Sequence, residues 1–245
     1  MANNYFQFQQ FRIEQGDCAQ KVSTDACLLG AAADLSGASR VLDLGTGTGV
    51  LALMAAQRAP AATIEAIEID PAAATQAARN VAASPWASRV VVHPLSLAAY
   101  AATGPGQFSH IICNPPFFRR SLAPPDAARA TARHESEGSL TFADIVAFAA
   151  GHLAAVGTLT VLLPPPEMTQ FAQAAVAGGL AVQARLTVRH RPGGRATRSI
   201  WQFGRRALAE PAEREISIKA TDGLAYSLDF QRLLGGFYLE FAPGS

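Results

Sequence analysis

The chain has 245 residues, 49% of them hydrophobic, with a formal net charge of +1 and a pI near 7.8. That is apolar material for one sizeable core, in the size range where an open α/β sheet forms one domain, and it excludes a protein that holds polyanions by bulk charge while leaving room for a local basic patch. Cys18, Cys27 and Cys113 have neither paired nor zinc-like spacing, which argues against a disulfide framework, a metal cluster and any bound metal.

The start, MANNYFQFQQF, lacks the basic and apolar stretches of a secretion signal, and no run approaches the roughly 18 apolar residues that span a bilayer. The expectation is a cytoplasmic protein with no membrane partner. Nothing sets an oligomeric state, with a monomer as the default.

Residues 1–39 read as a lead-in to a core over 40–245. In the lead-in, Lys21-Val22-Ser23-Thr24-Asp25 precedes an apolar stretch, so Thr24 or Asp25 either caps a helix or touches a ligand. Apolar runs of strand length then alternate with alanine-rich helical stretches, the pattern of parallel βαβ units. Strands are predicted at Val41–Leu44, Thr63–Ile69, Arg89–His93 and Phe108–Cys113, with helices at Gly49–Arg58 and at Pro71–Ala83, where Pro occupies the first turn. A loop over 118–138, too long to be a plain connection, precedes a helix at Phe142–Ala154 and a strand at Gly157–Leu163. Leu180–Val188 and Thr197–Gly204 predict an antiparallel hairpin around Arg191-Pro192-Gly193-Gly194, followed by a strand near Glu215–Lys219 and a helix over Leu228–Leu239.

Two turns in this pattern carry chemistry. In Asp43-Leu44-Gly45-Thr46-Gly47-Thr48-Gly49, a strand runs into a glycine turn that lets backbone approach a ligand and opens into a helix. Glu68 follows at the end of the next strand, where a carboxylate can accept from both hydroxyls of a ribose, and Ile69 beside it can cover an adenine. The spacing is Gly-x-Gly-x-Gly rather than that of dinucleotide enzymes. An acid two residues before the first glycine suits S-adenosylmethionine, which offers an ammonium and no pyrophosphate, so the donor-site candidates are Asp43, Gly45, Thr46, Gly47, Gly49, Glu68 and Ile69. A ligand-free glycine turn and a nicotinamide site are the alternatives.

Asn114-Pro115-Pro116-Phe117 sits at the carboxyl end of the fourth strand, where doubly wound sheets bind ligands. The amine of adenine is a poor nucleophile because its lone pair is delocalised into the ring. If the Asn114 oxygen and the Pro115 carbonyl each accept one N–H, the lone pair turns toward a methyl sulfonium, without a strong base. Phe117 can stack on the acceptor ring, Phe118 can form a wall, and Asn114 borders donor and acceptor alike. An ordinary turn after a strand is the alternative.

Arg185, Arg189, Arg191, Arg195, Arg198, Arg205 and Arg206 fall in one stretch without an acid, and the long loop adds Arg119, Arg120, Arg129 and Arg133. Guanidinium forks match phosphate oxygens, so this concentration favours a nucleic-acid substrate, with Arg119, Arg133, Arg191 and Arg195 as candidate contacts. A solvated arginine-rich hairpin is the alternative.

At these residues the chain resembles the bacterial tRNA1(Val) (adenine(37)-N6)-methyltransferase family. The resemblance runs through the Phe-rich start, Cys18 to Asp25 with Leu28-Leu29-Gly30-Ala31, the glycine loop with Leu51 to Ala55, Asn80 through Ser84-Pro85-Trp86-Ala87, and Asn114-Pro115-Pro116. It implies a doubly wound, mostly parallel, Rossmann-like sheet of seven strands with an antiparallel C-terminal hairpin. The implied cofactor is S-adenosylmethionine and the implied partner a valine-type tRNA, methylated on the adenosine amine beside the anticodon. Two departures stand out: Ser96 replaces the aspartate that related enzymes often place after the third strand, and Phe117-Phe118 stands where Tyr is common. Other planar amines, of ribosomal RNA, DNA or a protein glutamine, fit the same acceptor motif, and a catalytically silent RNA-binding module is the non-enzyme alternative.

Overall fold

The computed structural model describes residues 4–18, 21–115 and 140–242. Pro116, Phe117, Phe118, Arg119, Arg133 and the loop over 118–138 lie outside the described residues.

Strands β1 (Tyr5–Gln7) and β2 (Arg12–Glu14) make a small antiparallel hairpin that the sequence reading leaves unassigned. Its turn is held by aromatic packing: Phe8 stacks on Phe11 at 4.4 Å, and Phe8 bridges to Tyr238, which ties the beginning of the chain to its tail. Helix α1 (Thr24–Ala32) follows, capped by Ser23, whose hydroxyl accepts from the Ala26 amide. The expected caps, Thr24 and Asp25, are instead the first helical residues.

The main sheet has eight strands: β3 (Arg40–Leu44), β4 (Thr63–Ile67), β5 (Val90–His93), β6 (Phe108–Cys113), β7 (Leu153–Leu163), β8 (Ala181–Arg189), β9 (Ala196–Gly204) and β10 (Ala212–Ser217). Their order is β10-β8-β9-β7-β6-β3-β4-β5. Only β9 runs antiparallel to its neighbours, so the sheet is mostly parallel with an antiparallel hairpin β8–β9 near the C-terminus. β10 is the strand expected near Glu215–Lys219; it begins earlier, at Ala212, and pairs parallel to β8 at the edge, which makes the sheet eight strands rather than seven.

Helices α2 (Val50–Arg58), α3 (Pro71–Ala82), α4 (Leu97–Ala102), α5 (Phe142–His152), α6 (Pro165–Ala177) and α7 (Leu228–Leu234), with a 3-10 turn at Leu239–Phe241, complete the described elements. Alternate strand residues go to opposite faces. Val41, Ile64, Ile112, Leu162 and Ile200 pack with α1, α2 and α7, while Leu42, Leu44, Ile111, Cys113 and Val161 pack with α4, α5 and α6. Burial on both faces is why these strands read as continuous apolar runs. The C-terminal helix ends five residues earlier than expected because Gly235 and Gly236 interrupt it and Tyr238 turns back to Phe8. No described helix is long and apolar enough to cross a membrane.

From β3 the chain steps outward through β4 and β5, then returns to place β6 on the other side of β3. The crevice above the carboxyl ends of β3 and β6 is therefore the topological switch point, where open α/β sheets bind ligands.

Candidate active site

Both sequence motifs open at that switch point. Leu44 pairs with Cys113 in register, so Gly45 and Asn114 leave adjacent strands at the same level. Gly45, Gly47 and Gly49 all have left-handed backbones, with φ of +72°, +55° and +86°, a conformation that costs an L side chain about 1–2 kcal/mol. The Gly45 and Thr46 amides both donate to the Ile67 carbonyl at 3.0 Å, which fastens the loop to the end of β4. Beside Gly45 and Gly47 the position of a Cβ meets nothing within 4 Å, whereas at Gly49 it would meet Ala77 at 3.4 Å. The first two glycines thus present open backbone, while the third, packed beside Ala77 of α3, is required by its left-handed φ.

Asp43 lies beneath this loop, 1% exposed. Its Oδ2 accepts from the Thr46 hydroxyl at 2.5 Å and from the Ala52 amide at 3.1 Å, so it supports both the turn and the start of α2. Oδ1 is buried with no partner among the described residues. Burial pushes the carboxyl up to about 7, against the lowering effect of those two hydrogen bonds. Thr46, expected at the donor, has its hydroxyl taken up by Asp43.

Glu68 sits just past β4, which ends at Ile67 rather than at Ile69. One of its oxygens accepts from the Gly47 amide at 2.8 Å and the other from the Asp70 amide at 3.0 Å. A carboxylate has about four acceptor sites, so each oxygen retains capacity for a hydroxyl while the backbone holds the group still. Ile69 is 49% exposed beside it, an apolar surface of the kind that covers a base.

Across the crevice, Asn114 Oδ1 is buried and has no partner among the described residues, and Pro115 is buried next to it. Below them the Cys113 thiol donates to the Leu44 carbonyl at 3.6 Å, and burial raises that thiol well above its ordinary value, so it stays protonated. Cys113 is a strand fastener here, not a nucleophile. No group of three or more His, Cys, Asp or Glu side chains able to hold a metal occurs among the described residues.

Residues 18–164 match the family described as methyltransferase small domain. The tRNA1(Val) (adenine(37)-N6)-methyltransferase of Yersinia pseudotuberculosis serotype O:3 (strain YPIII) is 38% identical over 96% of this chain and 92% of its own length, and that of Yersinia pestis (strain Pestoides F) is 38% identical over 96% and 94%. The chain belongs to this methyltransferase family. Its fold agrees. A structure described as a predicted O-methyltransferase from Agrobacterium tumefaciens superposes with a TM-score of 0.65 over 87% of this chain and 96% of its own, at 23% identity. The ribosomal protein L11 methylase of Lactobacillus delbrueckii gives 0.54 over 79% and 84%, at 19% identity. The protein is an S-adenosylmethionine-dependent methyltransferase, and the glycine loop, Glu68 and the orphaned oxygen of Asp43 fit that donor.

Within this methyltransferase, Ser96 accepts from the Ala99 amide at 3.2 Å and caps α4, so its hydroxyl has a structural duty. The arginine-rich hairpin divides in two. Arg185 pairs with Glu213 and Arg189 with Glu215, both on β10, while Arg198 pairs with Asp25 of α1. Arg205 donates to the carbonyls of Ala150 and Leu153. Arg191 and Arg195, the two expected to meet substrate, stand exposed at the hairpin tip.

The sequence reading gave Asn80 no role beyond resemblance. Buried on α3, it donates to the Thr48 and Glu14 carbonyls at 2.8 Å and accepts from the Glu14 amide at 2.9 Å, joining the glycine loop to the N-terminal hairpin. Gln76, one turn earlier, accepts from the Asp17 amide. The legible signal was two amides at i, i+4 spacing among Ala73, Ala77 and Val81, polar groups on an otherwise apolar helix face.

Proposed function

We propose that this enzyme methylates the N6 amine of adenosine 37 in a valine tRNA. The observation that carries the acceptor chemistry is the Asn114 carboxamide oxygen, buried without a partner among the described residues at the switch point beside the glycine loop. A buried acceptor left unpaired costs about 1–3 kcal/mol, and an incoming amine N–H relieves that cost. With the Pro115 carbonyl accepting the second N–H, the amine is drawn out of conjugation and its lone pair aims across the crevice. S-adenosylmethionine, when bound, supplies an electrophilic methyl group. Asp43 and Glu68 orient that donor through its ammonium and ribose, Gly45 and Gly47 admit it by close backbone approach, and Ile69 covers its base. The proton leaves the amine after transfer, so this arrangement needs positioning and no strong base.

The tRNA assignment is supported by what the curated relatives are named for and by the exposed arginines at the hairpin tip. Phe117 and Phe118 are proposed to stack on and enclose the base, and Arg119, Arg133, Arg191 and Arg195 to bind phosphates. The chain works as one catalytic domain, in the cytoplasm where tRNA is modified. Incubation with labelled S-adenosylmethionine and total tRNA, followed by nucleoside analysis, tests the reading. Label in N6-methyladenosine of valine tRNA is expected. Label confined to ribosomal RNA, DNA or protein overturns it.

A further inference from the structure

The hairpin tip does not stand alone. The Ile218 and Lys219 amides donate to the carbonyls of Arg189 and His190, both at 2.9 Å, so the segment after β10 is hydrogen-bonded to the base of the tip. The Arg191 guanidinium lies against Gly223, where an added Cβ would fall 2.5 Å from its Cζ. The tip at 190–195 and the turn at 219–226 therefore form one rim.

The rim rises from the catalytic edge. Cys113 is level with Val161, Val161 with Trp201 and Trp201 with Arg185, which sets Asn114 level with Leu186 three strands away. With strands ~4.8 Å apart and a rise of ~3.3 Å per residue, the rim begins roughly 15–20 Å from Asn114 and above it. Arg191, Arg195 and Lys219 all lie on it. Its acid, Asp222, has one oxygen held inside the turn by the Leu224 and Ala225 amides.

Lys219, one of only two lysines with Lys21, is the least expected member. Its ammonium sits 3.7 Å from the Tyr226 ring centroid and donates to the Leu224 carbonyl at 2.9 Å. Tyr226 is itself stacked on Phe230 at 4.8 Å, so the platform is fixed by the core. An ammonium has three donors, and this one is held in place with two remaining. Such a cation meets a phosphate without first losing the freedom of a long side chain.

We propose that the 190–195 tip and the 219–226 turn form a single phosphate-binding rim, with Lys219, Arg191 and Arg195 setting the position of the RNA over Asn114. Arg185, Arg189, Arg198 and Arg205 hold the protein together instead. The proposal rests on the tRNA reading above.

Equilibrium binding of an unmodified valine tRNA transcript by the full chain, over a series of KCl concentrations, tests it. The wild type gives a steep fall in affinity with salt. Arg191→Gln, Arg195→Gln and Lys219→Gln are each expected to flatten the log–log slope by ~0.7–0.9, the loss of one phosphate contact. Lys219→Arg restores the slope, Arg185→Gln leaves it unchanged, and affinity for S-adenosylmethionine stays at the wild-type value in all the rim variants. If the rim variants keep the wild-type slope, the rim is not the phosphate site, although the tRNA reading stands. If Lys219→Gln and Lys219→Arg weaken binding equally, Lys219 acts through packing on Tyr226 and the second turn is overturned as a contact. A flat salt response in the wild type defeats the tRNA reading itself.

Discussion

Leu44 and Cys113 face each other on neighbouring parallel strands, and the thiol of one donates to the carbonyl of the other at 3.6 Å. That contact puts the first residue of the glycine loop and the acceptor asparagine side by side at the mouth of the same crevice. The proposed donor and acceptor groups thus leave neighbouring strands at one level, set by sheet register, which is stiffer than loop geometry.

Since Cys113 fastens the strands below it, Asn114→Ala should fold normally and still bind S-adenosylmethionine. Turnover should fall ~100-fold or more, as on removal of one positioned hydrogen-bonding group. Circular dichroism, titration calorimetry and single-turnover methyl transfer separate the three properties. Near-normal turnover would remove Asn114 from the reaction.

Glu68→Gln should weaken cofactor binding by ~10–100-fold, the equivalent of a charge-assisted hydrogen bond worth about 1.5–3 kcal/mol. The variant also places an amide N–H where the Gly47 or Asp70 amide now donates. Calorimetric titration with S-adenosylhomocysteine reads this directly, and an unchanged affinity would place the ribose elsewhere.

Two glycines of the same loop should fail differently. Gly49→Ala puts its Cβ in ordinary contact with Ala77, away from the crevice, but must adopt a left-handed φ of +86°, so it should lower the melting temperature. Strain of about 1–2 kcal/mol corresponds to a drop of roughly 2–8 °C for a chain of this size. Gly47→Ala carries the same kind of backbone strain, but with nothing within 4 Å its Cβ projects into open space. Its main effect should be lost cofactor affinity. Equal effects of the two variants on both properties would contradict this division.

Asp43 gives a pH signature. Its folded value of about 7 lies above the ordinary 3.8, so between about pH 4 and 7 the unfolded chain releases its proton first and stability falls as pH rises. Cofactor binding should show the opposite slope, because the ammonium of the donor favours the ionised carboxylate: affinity should rise from pH 5.5 toward 7, by at most about tenfold per unit. Calorimetry in buffers of different ionisation enthalpy should detect proton release on binding. Asp43→Asn should flatten both dependences. A wild-type affinity that is level across this range would mean that Asp43 serves the loop alone.

The central strands, the glycine loop, Glu68 and Asn114 were legible because each depends on local pattern: apolar runs buried on both faces, positive-φ glycines, and residues at strand ends. What escaped depends on partners distant in sequence. The pairing of Arg185 with Glu213 and of Arg189 with Glu215 follows from the parallel register of β8 and β10, which no local signal announces. Helix α6 begins at Pro165 in a stretch that the sequence reading leaves unassigned, although Pro suits the first turn of a helix. Phe6 and Phe8 gain their partner Tyr238 from the far tail of the chain, which no local pattern announces.

Glu213 and Glu215 give the outer strand a further consequence. They neutralise Arg185 and Arg189 on the flank of the sheet, within the most arginine-rich stretch of the chain. A polyanion drifting along that side meets ion pairs that are already closed, and long-range attraction fades within about 8–10 Å at physiological salt. Open positive charge survives at the tip above the crevice. If the tip holds phosphate as proposed, a molecule almost neutral overall gains a direction of approach, with its open charge set above Asn114.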